Sequence, residues 1–172
     1  MEGAALTWDR VNIDDHEPAN CWFHLPDPKN GREVYLPLSS QAVELLKNRP
    51  REKDGKPNPF VFPSSSKDGH IKDTRAPLEK LSQVAGKRLS AHDLRRTFTN
   101  IAMRECLIEK FRTDLLTNHV PAQADVTARN YLDLTKLDWL QPEAQRIGDW
   151  IEEQGRIAAA KAAGANVVPL RA

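Results

Sequence analysis

Apolar positions alternate with polar ones early in the chain and later recur every three or four residues. Leu6 and Trp8 alternate, as do Val11 and Ile13, which predicts a short strand. The stretch from Asn20 to Leu25 has strand character around Trp22 and Phe23. Asp27-Pro28-Lys29-Asn30-Gly31 is dense in turn formers, and Asn-Gly predicts a hairpin. Val34 to Leu38 returns as a strand, with Pro37 at its end or on an edge. The first forty residues therefore predict a small antiparallel sheet with Lys29 near a hairpin tip.

Beyond residue 38 the period becomes helical. Ser39 or Ser40 caps a helix through Lys47, with Ala42, Leu45 and Leu46 inward. Residues 49–73, rich in Pro, Ser and Lys, form a long surface loop pinned by Phe60-Val61-Phe62. Further helices are expected over about 74–85, with Leu78, Leu81 and Val84 and a stop at Gly86, and over 91–105, 108–117, 126–134 and 138–156. The whole reads as one mixed α+β, mainly helical domain over 1–156, followed by an alanine-rich tail over 157–172.

Composition narrows the partners. The chain has 172 residues, 25 basic and 24 acidic, so no all-over coat of one sign advertises a polyanion. Basic residues cluster locally at Lys87, Arg88, Arg95 and Arg96, while Glu143, Asp149, Glu152 and Glu153 make the C-terminal part acidic. A nucleic-acid site would have to be a cleft. No apolar run approaches a membrane span and no signal-peptide layout is seen, so a cytoplasmic location is expected. Cys21 and Cys106 suggest no disulfide framework. Cys21 and His24 have a metal-like spacing, but no second ligand pair follows, so no metal is expected.

The stretch Ala91 to Phe98, AHDLRRTF, carries the candidate chemistry. Ser90 is its N-cap, and Leu94, Phe98, Ile101 and Ala102 form one apolar face. His92, Arg95, Arg96 and Thr99 lie on the other side at three- and four-residue steps. Two guanidiniums and an imidazole on one rigid surface suit a phosphate, because arginine offers several fixed donors and a charge that does not titrate. Taken alone, such a face is more often merely solvated.

Four segments change that weighting by their order: LTWDRVNID with PKNGREVYLPLS, then AHDLRRTF, then LLTNH, then ARNYLDL. Together they resemble the catalytic domain of the tyrosine recombinases, the phage-integrase family, over about residues 6–150. The resemblance implies that family's mainly helical catalytic fold beside a small antiparallel sheet. It also implies cleavage and rejoining of double-stranded DNA at chosen sites. In that reading Tyr131 is the nucleophile that forms a 3′-phosphotyrosyl intermediate. Arg95, His92 and His119 hold the scissile phosphate, and Lys29 protonates the departing 5′ oxygen. Arg96, Lys87 and Arg88 contact DNA. No cofactor is implied, because the covalent bond stores the phosphodiester energy. The family also implies a bacterial or phage, nucleoid-associated location, and a homo-oligomer on DNA with the C-terminal segment docked in trans.

Each residue also has an ordinary reading: a solvated turn lysine, a helix C-terminal histidine, a half-buried tyrosine. Three departures qualify the match. The family's other arginine, in an Arg-x-x-Glu pattern, would lie before Met1 if Glu2 is that glutamate, so a truncated, poorly active fragment is expected. Asn118 stands where glycine is usual, a mild change because Asn tolerates left-handed backbone. The segment between His119 and Tyr131 is long for the family. The alternatives are a non-catalytic DNA-binding or interaction remnant of the same fold, and a type IB topoisomerase-like enzyme.

Overall fold

The computed structural model describes residues 2–29, 31–53, 55–119 and 133–164. About half of the chain is helical, and a three-stranded antiparallel sheet accompanies the helices. The strands are β1 (Val11–Asn12), β2 (Trp22–Leu25) and β3 (Val34–Pro37), in the order β1-β2-β3. Their register pairs Phe23 with both Val11 and Leu36, and His24 with Tyr35. Alternation along the strands sorts the side chains. Val34 and Leu36 are buried with Leu115, Leu137 and Leu140. Trp22, His24 and Tyr35 share the opposite face, where the Tyr35 ring meets both of the others.

The early strand is shorter than its alternation predicts. Leu6 to Arg10 is a bridge at Thr7, paired with Phe60, followed by a 3-10 turn over Trp8–Arg10. Leu6 is still buried, in a cluster with Cys21, Leu38, Leu46 and Val61. The expected hairpin joins β2 to β3, with Lys29 in its connection. Leu25 pairs with Val34, so the connection spans 26–33 and is no two-residue turn. Pro26 and Pro28 cannot donate to a ladder, and Pro28 is fully buried.

Helix α1 (Ser40–Lys47) starts at Ser39, whose hydroxyl accepts from the Ala42 N–H at 3.3 Å. Leu46 points inward, but Leu45 is 71% exposed, against expectation, because only one side of this helix meets the core. The loop over 49–73 holds a minimal hairpin, β4 (Glu52–Lys53) with β5 (Lys56–Pro57), that its polar composition hides. Helix α2 (Arg75–Ala85) stops at Gly86, whose φ of 64° lies in the left-handed region. It buries none of its residues, so the expected inward face of Leu78, Leu81 and Val84 is not buried.

Helix α3 (Ala91–Asn100) continues as a π turn over Ile101–Glu105, closed by the Cys106 N–H to Ile101 O at 2.9 Å. Leu107 then adopts φ 54°, a conformation costing a leucine roughly 1 kcal/mol, and reverses the chain into α4 (Lys110–Leu116). Ile101, Ala102, Ile108 and Ile147 bury together, with Phe98 and Leu116 packed against them. Leu94 is 47% exposed, so the apolar face predicted for α3 is buried only in its second half.

The expected helix over 126–134 falls mostly outside the described residues; Asp133 and Leu134 are not helical. Thr135 to Leu137 then lies beside β3, with the Tyr35 N–H donating to Thr135 O at 2.8 Å and the Leu137 N–H to Tyr35 O at 3.1 Å. The last helix, α5 (Gln141–Ala162), runs past residue 156 into the alanine-rich stretch, as alanine propensity favours. It crosses α1 closely at Gly148, and Gln145 and Asp149 hydrogen-bond Ser40 and Gln41. No helix among the described residues is long and apolar enough to cross a membrane.

Candidate functional site

Helix α3 is built to begin sharply at Ser90. The Ser90 hydroxyl accepts from the Asp93 N–H at 3.3 Å, and Asp93 Oδ2 accepts from the Ser90 N–H at 3.0 Å. This capping box satisfies the first turn. The hydroxyl of Ser90 and its backbone N–H hold the Asp93 carboxyl below its usual range, with smaller help from the charges of Arg96 and His92. Asp93 is therefore spent on the helix start, which frees the next residues for the outside.

His92, Arg95 and Arg96 are all exposed on this helix. Their spacing of three and four places them on one side. Among the described residues the ion pair on this surface is loose: Arg96 Nη1 lies 3.9 Å from Asp93 Oδ1, with the arginine side chain exposed. Among the described residues Lys87, Arg88 and Arg95 form no ion pair. Lys87 and Arg88 are exposed in the connection between α2 and α3. It is braced by the Leu89 N–H donating to Ser82 Oγ at 2.8 Å. The face is thus cationic, fixed at its base and open to a ligand.

His119 arrives by a second route. Helix α4 ends with Asn118 at φ 49°, the Asn118 N–H bonding Leu115 O at 2.9 Å and the His119 N–H bonding Asp114 O at 2.8 Å. Those two bonds are a Schellman turn, in which asparagine serves where glycine is commonest. His119 is exposed. Helix α4 is tied to α5 by Arg112, which pairs with the buried Glu143 carboxylate and lies over the Trp139 ring at 5.4 Å. Phe98 of α3 and Leu116 of α4 line one hollow of about 300 Å³ with Phe23, Leu36 and Ile147. The supports of Arg95 and His119, three residues from each, therefore meet on one core.

Lys29 is exposed in the 26–33 connection, one residue after the buried Pro28. The Gly31 N–H closes the turn on Pro28 O at 2.7 Å, with Gly31 at φ 69°. This connection borders a hollow of about 300 Å³ together with Ala5, Leu6 and Arg10. Tyr131 lies outside the described residues, so the predicted nucleophile takes no part in the described geometry. The structure thus groups His92, Arg95 and Arg96 directly, and relates His119 to them through shared packing.

The Cys21–His24 spacing is used for packing. The Cys21 thiol is buried and exchanges hydrogen bonds with the Asp14 backbone, its sulfur 3.3 Å from both N and O. The His24 ring stacks on Tyr35 at 4.1 Å. Among the described residues no group of three or more His, Cys, Asp or Glu is placed to hold a metal ion. One feature escaped sequence reading: a groove of about 590 Å³ lined by Glu17, Asn20, Trp22, Tyr35, Lys136 and Asp138. The alternation of Trp22 and His24 opposite Tyr35 was its only signal, and Lys136 comes from a segment a hundred residues away along the chain. No protein-family model, curated protein or solved structure matches the chain.

Proposed function

We propose that this chain is the strand-cleaving domain of a tyrosine-type DNA recombinase, with that family's catalytic fold. The observation that carries the reading is the α3 face, where His92 and Arg95 stand exposed together above a base that α4, ending in His119, also shares. In this reading Arg95 holds the non-bridging oxygens of a scissile phosphate through paired donors, where charge grows during in-line attack. His92 and His119 donate hydrogen bonds to the same group. The Tyr131 oxygen attacks phosphorus and releases its phenolic proton. The bond from phosphorus to the 5′ oxygen breaks, and Lys29 supplies the proton that this oxygen takes. A phenol ionises near pH ~10, so the surrounding cations serve to make it reactive at neutral pH. Lys87, Arg88 and Arg96 extend the cationic surface along the duplex and make binding salt-dependent. The partner is double-stranded DNA in a bacterial or phage nucleoid, with oligomerisation on the DNA.

The test is covalent trapping on a random-sequence pool of nicked duplexes, read as denaturation-resistant protein–DNA adduct. The wild-type chain forms adduct at low yield, Tyr131→Phe forms none, and Arg95→Ala forms about 100- to 1,000-fold less. Equal adduct from Tyr131→Phe, or none from the wild type, overturns the enzyme reading. Salt-dependent binding without adduct leaves the non-catalytic DNA-binding remnant in its place. Relaxation of unrelated supercoiled plasmids would instead indicate the topoisomerase-like activity.

A further inference from the structure

We propose that the groove between the 3-10 turns Pro18–Asn20 and Asp138–Leu140 is a docking site for an arginine side chain of a partner protein. The groove, at about 590 Å³, is within the usual range for ligand sites. Its floor is aromatic and held in place. Tyr35 stacks on His24 with an interplanar angle of 5°, and meets Trp22 edge-to-face with centroids 5.0 Å apart. Trp22 and Tyr35 nonetheless remain half-exposed.

Both walls are braced by bonds to their own surroundings. On one side Asp14 accepts from the Glu17 N–H at 3.0 Å and from Asn20 Nδ2 at 2.9 Å. On the other, the segment carrying Lys136 pairs with Tyr35, and Leu137 and Leu140 are buried. A site braced in this way loses little freedom on binding.

The charges choose the occupant. Elsewhere many carboxylates are taken: Asp15 by Lys47, Asp68 by Lys72, Asp73 by Arg75, Glu143 by Arg112. Among the described residues no ion pair takes Glu17 or Asp138. Among the described lining residues Lys136 is the one cation against Glu17 and Asp138, a net negative balance that disfavours a phosphate. A wholly apolar ligand would strand both carboxylates. A guanidinium satisfies all of these features at once. Its plane stacks on an indole or phenol, and its fixed donors fork onto carboxylates, which a lysine ammonium does less well.

The test uses the full chain and three probes: an acetyl-Gly-Arg-Gly-amide peptide, its citrulline counterpart of the same shape without the charge, and adenosine monophosphate. The readout is the Trp22 indole resonance, assigned by its loss in Trp22→Phe. The arginine peptide should shift it saturably, with about tenfold weaker binding for the citrulline peptide and for the arginine peptide on Asp138→Asn. The Trp8 and Trp150 resonances report that this variant stays folded, and Glu17→Gln replaces it if it does not. No saturable shift below about 10 mM arginine peptide, equal binding of citrulline, or tighter binding of the nucleotide would each overturn the proposal.

Discussion

Helices α2 and α5 carry apolar residues at the same helical spacing and end in different surroundings. At the start of α5, Leu140 is fully buried, and Ile147 within it is 2% exposed. On α2, Leu81 is 46% and Val84 91% exposed. The difference lies in what surrounds each helix. α5 has α1 on one side and the core of α3, α4 and the sheet on the other, while α2 lies beyond the buried clusters. From Arg75 to Asn100 the arm also holds six basic residues against two acidic ones, Glu79 and Asp93. An apolar stripe therefore reports that a segment is helical, and burial reports that it has a neighbour. In this chain the cationic face of the candidate site lies between α2, which has no buried residue, and the first half of α3, whose Phe98 reaches the core only near the helix end.

The largest expected effect separates the two helices directly. Ile147→Ala should cost about 2–5 kcal/mol, since it empties a filled position in the core. Val84→Ala should stay within about 0.5 kcal/mol. Urea denaturation of both variants measures this, and similar losses would erase the distinction between arm and core.

A smaller effect sharpens the comparison within α5 itself. A Cβ on Gly148 would overlap Gln41 Oε1 and lie 2.9 Å from Ser39 Oγ, whereas one on Gly155 would meet open space. Gly148→Ala should cost about 1–3 kcal/mol by forcing α1 and α5 apart. Gly155→Ala should stabilise by up to about 1 kcal/mol, through helix propensity. Thermal unfolding of the pair reads the opposite signs.

The smallest effects belong to the arm. Ser90→Ala removes the α3 cap at a cost of about 1 kcal/mol. Asp93 adds a pH dependence of known sign. Its folded-state value is lowered from 3.8, first by the Ser90 hydrogen bonds, so its contribution is fully present above pH 3.8. That contribution fades as the pH falls through the lower folded value. Unfolding curves of wild type and Asp93→Asn should converge below pH 3.8, and curves with the same separation at every pH would remove this role.

Much of the local structure is legible in the residues. Ser39 and Ser90 mark helix starts, Gly86 marks a stop, and Asn118 tolerates the left-handed turn that delivers His119. Such features depend on side chains a few residues apart, so a short window contains the physics. The turn formers around Lys29 likewise mark the connection between β2 and β3, and the non-local burial of Pro28 helps fix its course.

The sequence by itself determined where α1, α2 and α3 begin, that β2 and β3 form a hairpin, and that His92, Arg95 and Arg96 share one side of α3. Only the tertiary structure decided which apolar stripes find a partner, that Phe98 and Leu116 rest on one core, and that Lys136 comes to Tyr35 to close an aromatic groove. The physical reason is range. Capping and periodicity act within one or two turns, whereas burial depends on the volume left by segments a hundred residues away.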